Sequence, residues 1–129
     1  MSKIFDDDVR APGWAPGLFD WSQRRVEDVD VISLAGELDL AAAPELRRRL
    51  TGAVESSTAA RIMLDLSGVG FLDAHCTSVI VAAAELAADR GRQLRVDGLH
   101  GIAERVFGAL GLEPMVSGRG LREARDRDR

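Results

Sequence analysis

One cysteine in 129 residues rules out an internal disulfide, and a chain with no bridge to lose suits a reducing, cytosolic compartment. Tyrosine is absent, and four Phe and two Trp are the only aromatics, so Ala, Leu and Val must fill the core. No apolar run approaches the ~20 residues of a membrane-spanning helix. Where a signal peptide would need its apolar segment, Met1 to Arg10 carries Asp6, Asp7 and Asp8. The chain has no basic excess either: its net charge is -4 and its isoelectric point about 5.2, which argues against a general nucleic-acid binder. Imidazole and thiol ligands are confined to His75, His100 and Cys76, and a closed zinc site needs four. No glycine-rich loop ends in Lys-Ser or Lys-Thr, so nucleotide hydrolysis has no support, and Gly98 and Gly101 around His100 are a poor substitute. These absences leave a cytoplasmic domain with no metal or cofactor expected.

What is present centres on Arg61 to Gly91. Ile62, Met63, Leu64 and Leu66 form a short apolar run that stops at Ser67-Gly68, the pattern of a strand covered on both faces. From Asp73 the period changes: Val79, Ile80, Ala83, Leu86 and Ala87 fall three or four apart, as on the buried stripe of a helix. Asp73 can cap that helix, and Gly91 stands at its left-handed stop. The loop Asp73-Ala74-His75-Cys76 at the helix start is the most chemically suggestive place in the chain.

The rest falls into order around it. Residues 1–17 hold Pro12, Gly13, Pro16 and Gly17 and little periodicity, and read as an arm whose Trp14 packs on the domain edge. Leu18 to Arg25 and Val29 to Ala35 read as a hairpin joined at Glu27-Asp28. Val29 and Val31 lie on one face of its second strand and Ile32 and Leu34 on the other, so burial on both sides is expected. A helix from about Pro44 to Val54 buries Leu46, Leu50 and Val54 and turns Arg47, Arg48 and Arg49 to solvent; with Ala41 to Ala43 before it, its start lacks a side-chain cap. Gln93 to Val96 is a strand, and a third helix runs from near His100 to its stop at Gly111. Glu113 to Ser117 is a final strand or apolar plug. Residues 118–129 are a charged tail. The order β-β-α-β-α-β-α predicts an α/β fold with a mixed sheet of four to five strands and three to four helices mainly on one face. With no internal repeat, it is one domain over residues 18–117.

Two blocks in this order resemble a known family. Gly36-Glu37-Leu38-Asp39 with Ala43-Pro44-Glu45-Leu46 is similar to the first block of STAS domains of the anti-sigma factor antagonist kind. Leu64-Asp65-Leu66-Ser67-Gly68-Val69 with Phe71-Leu72-Asp73 is similar to the second. The resemblance implies the STAS fold and a non-enzymatic role: docking on an anti-sigma factor with serine-kinase activity. In the family that kinase phosphorylates a Ser or Thr just after the second-block aspartate. Here that pattern reads Asp73, Ala74, His75, Cys76, with no hydroxyl at either acceptor position and Cys76 in place of a glycine. Thr77 and Ser78 are the nearest hydroxyls, inside the first helical turn, so no phosphorylation of the usual kind is expected.

The resemblance therefore nominates Asp39, Asp73, Ala74, His75, Cys76, Thr77 and Ser78 as a partner-binding surface, with capping the competing role for the two aspartates. Two alternatives remain open. One is a STAS scaffold outside sigma control, forming a homodimer or pairing with another STAS protein. The other is a small thiol enzyme using Cys76, whose pKa a helix N-terminus can lower. Against the latter, neighbouring helical side chains point about 100° apart, so His75 does not become its base by adjacency.

Overall fold

The computed structural model describes residues 18–116. The expected arm, with Trp14, and the expected tail lie outside the described residues. β1 (Phe19–Val26) and β2 (Val29–Leu38) form the hairpin, and a 3-10 turn (Leu40–Ala42) leads into α1 (Ala43–Ser56). Then come β3 (Arg61–Leu72), α2 (Ala74–Asp89), β4 (Gln93–Asp97), α3 (Gly101–Ala109) and a second 3-10 turn (Glu113–Met115). The strands stand in the order β1-β2-β3-β4, β1 antiparallel to β2 and the remaining pairs parallel. Val96 also bridges Val116 in parallel, so the expected last strand is reduced to a 3-10 turn and one bridge.

Because the order advances by one strand at each crossover, right-handed connections through α1 and α2 place both helices on the same face. That corrects the two-sided burial expected of β2 and β3. Ile32, Leu34, Ile62, Leu64 and Leu66 are buried beneath the helices, whereas Val29, Val31, Met63 and Asp65 on the opposite face are only half-buried. Each fully buried leucine of this set stabilises the fold by about 1.5–3 kcal/mol relative to exposure. From above, Leu46, Leu50 and Val54 of α1 and Val79, Ile80, Ala83 and Ala87 of α2 close the core, as their spacing predicts. Leu86 is only half-buried.

The strands also run further than expected. β3 does not stop at Ser67-Gly68 but continues to Leu72, and β2 passes through Gly36 to Leu38. The register jumps from Ser33↔Asp65 to Ala35↔Gly68, and again from Gly36↔Val69 to Glu37↔Phe71, so β3 spends twelve residues against ten in β2. Gly68 belongs to the first bulge: a Cβ there would stand 2.8 Å from Ala35 Cβ and 3.1 Å from Leu34 O. A sequence signal for a stop is thus a signal for close approach.

Two polar arrangements hold the edges. Asp30, buried at the start of β2, accepts hydrogen bonds from Ser57 and Arg25. Burial raises its pKa, but those bonds and the charges of Arg25 and Arg92 outweigh it and hold the carboxyl below its ordinary value. Arg49, expected in solvent, is half-buried: it donates to Glu45 at 2.9 Å and lies 5.4 Å from the centre of the Trp21 ring.

Candidate functional site

β2 and β3 end side by side, with Leu38 opposite Leu72, and each is followed by an aspartate. Asp39 is extended and its carboxylate accepts the Ala42 N–H at 3.3 Å. This answers the expected missing cap of α1: the cap sits one short turn earlier, and the 3-10 turn runs directly into the helix. Asp73 is extended as well (φ -95°, ψ 175°) and accepts the Cys76 N–H at 2.8 Å. Asp73 N–H donates to Leu38 O at 3.2 Å, and the Cys76 thiol donates to Asp39 O at 3.2 Å. The two caps are thereby tied together.

The sequence pattern puts Ala74, His75 and Cys76 in a loop; they form instead the first turn of α2, where the Asp73 carboxylate takes up the open N–H of Cys76. Ala74 and His75 are exposed on that turn, and Cys76 faces inward with no exposure. Burial first, then the neighbouring Asp73 and Asp39, pushes the thiol up to about 12. The helix N-terminus therefore does not activate it, and at neutral pH it is a protonated core residue rather than a nucleophile. Thr77 is fully buried and donates its hydroxyl to Asp73 O at 2.8 Å. Ser78 is exposed and donates to Ala74 O at 3.1 Å. Of the two nearest hydroxyls, only Ser78 reaches the surface.

Sequence reasoning passed over Leu40. It follows Asp39 directly and is 65% exposed, the highest value among the exposed large apolar side chains of the described residues. An apolar residue between a capping aspartate and an alanine run, at a point where no buried stripe has begun, is the signal that could have found it. A shallow groove of about 250 Å³ runs on from Thr77 and Ser78 along Val81, Ala82 and Glu85 to Leu110 and Leu112. His100 does not join His75 and Cys76; its Nε2 lies 3.0 Å from Ser67 O. Among the described residues no three His, Cys, Asp or Glu side chains are grouped to hold a metal.

A family model described as "Mlab, STAS domain" matches residues 21–117. The chain belongs to the STAS family. The fold is shared with solved members: an anti-sigma factor antagonist from Mycobacterium paratuberculosis matches with a TM-score of 0.70 at 22% identity, over 79% of this chain and 86% of that one. The unphosphorylated form of the anti-sigma factor antagonist SpoIIAA matches with a TM-score of 0.67 at 21% identity, over 84% and 95%. The phosphorylated form of the Bacillus cell fate determinant SpoIIAA matches with a TM-score of 0.61 at 21% identity, over 85% and 100%. No helix among the described residues of this STAS domain is long and apolar enough to cross a membrane.

Proposed function

We infer that this STAS domain is a regulatory binding protein of the anti-sigma factor antagonist kind, which docks a partner kinase through the start of α2 and the adjacent Asp39-Leu40 turn. The observation that carries the reading is the exposed turn Ala74-His75, tied through Cys76 to the Asp39 carbonyl that precedes exposed Leu40. Apolar Leu40 and Ala74 offer area, while Asp39 and His75 offer polar recognition. Phosphorylation of the usual kind has no acceptor here. Thr77 is sealed in the core, and Ser78 lies five residues past Asp73 in the chain, about one and a half helical turns. Binding is then constitutive or set by abundance.

Incubation with the cognate kinase and ATP, followed by mass spectrometry, should find no stoichiometric phosphate on Thr77 or Ser78, and His75→Glu should abolish kinase capture without changing the circular dichroism spectrum. Stoichiometric phosphate with loss of capture would overturn the regulatory part. Undiminished capture by His75→Glu would overturn the surface. A second reading, a STAS module outside sigma control, is favoured by the match to the family model described as "Mlab, STAS domain". Co-purification that recovers a partner with no kinase domain would select it.

A further inference from the structure

β1 is an edge strand with no strand beyond it among the described residues. Its two-residue connection to β2 closes on Val26↔Val29. In such a turn the first flanking carbonyl accepts the second flanking N–H, so Val26 and every second residue before it direct their backbone groups at β2. Phe19, Trp21, Gln23 and Arg25 direct theirs outward. The side chains divide by the same parity: Phe19 and Trp21 pack on the core, and the alternate set stands on the face that no helix covers.

With Leu18, which immediately precedes the strand, that alternate set reads Leu18, Asp20, Ser22, Arg24, Val26. Leu18 is 51% and Val26 45% exposed. All three residues between them are exposed, and no ion pair or side-chain hydrogen bond engages Asp20 or Arg24 among the described residues. The set is its own complement about Ser22: an apolar residue at each end, then opposite charges, then a hydroxyl at the centre.

We propose that β1 pairs with β1 of a second copy of this chain, antiparallel about a twofold axis at Ser22, to join two four-stranded sheets into one of eight strands. In that register Asp20 of one copy stands opposite Arg24 of the other, twice, and Leu18 stands opposite Val26, twice. The outward backbone groups meet as well: Trp21 falls opposite Gln23, and Phe19 opposite Arg25, in the rows whose hydrogen bonds β2 leaves unused. Sliding one copy by two residues puts Asp20 opposite Ser22 or Val26 and loses the match. Charges on an edge strand ordinarily discourage pairing; here their spacing admits one partner, the same strand reversed. The interface shares no residue with the partner surface of α2, so it stands or falls independently of the proposed function.

Analytical ultracentrifugation of the full chain over a concentration series is the test. The unaltered chain should dimerise. Asp20→Arg and Arg24→Asp should each weaken the dimer by roughly tenfold or more, because like charges then stand opposite at two symmetric places. An equimolar mixture of the two variant chains should recover association, since opposite charges face each other again. Gln23→Pro, which removes an outward N–H and leaves the β2 pairing intact, should give a monomer with an unchanged circular dichroism spectrum. A chain that stays monomeric throughout, a dimer indifferent to either charge reversal or to the proline, or a mixture that fails to recover association overturns the proposal.

Discussion

Cys76 and Asp30 are both buried groups whose neighbours decide their charge, in opposite senses. Around Asp30 the partners are cationic or hydrogen-bond donors, so the carboxylate persists. Around Cys76 the partners are carboxylates and a carbonyl, so the thiol keeps its proton. In the folded state the thiol titrates at about 12, whereas in an unfolded chain it would titrate near 8.5. Its contribution to stability is therefore fully present below the unfolded value and is lost as the pH rises toward the folded one. We expect a maleimide or disulfide reagent at about pH 8 to label Cys76 only at the rate of unfolding, and Cys76→Ala to flatten the fall in stability between about pH 9 and 11. Rapid stoichiometric labelling of the native chain would reverse the assignment. Adjacency to a helix N-terminus made the thiol look reactive in the sequence. Its inward direction and the Asp39 carbonyl come from a contact thirty-seven residues away, which no local pattern carries.

At the scale of elements, helices were legible and strand faces were not. Leu46, Leu50 and Val54, and the stripe from Val79 to Ala87, announce which side of each helix is buried because a single helix has one covered stripe. In β2, valine on one face and isoleucine and leucine on the other look alike in a sequence, and only the common hand of the two crossovers decides that one face stays uncovered. Adjacent residues of β3 test this directly. Leu64, with no exposure, should cost about 2–5 kcal/mol on replacement by alanine. Met63, half-buried on the uncovered face, should cost well under half as much in the same denaturant melt. Equal losses would mean that something covers the second face.

At the scale of the whole molecule, the partner surface follows the two central strands, whereas the pairing edge is β1. The Asp39-Leu40 turn follows β2, next to β1, but His75 follows β3, which lies two strands from β1, roughly 10 Å at the usual spacing between strands. Sites that far apart with no shared residues act additively, within about 0.5 kcal/mol. A dimer through β1 would then carry two copies of the α2 surface without altering either. The variant Arg24→Asp should show weakened self-association by ultracentrifugation and an unchanged partner affinity by titration calorimetry. Coupling beyond about 1 kcal/mol would require the sheet to transmit a change from its edge to the cap at Asp73. The path available for that runs through the Leu38–Asp73 and Asp39–Cys76 hydrogen bonds, so Cys76→Ala, which removes the second and leaves the first, should weaken any coupling that is found.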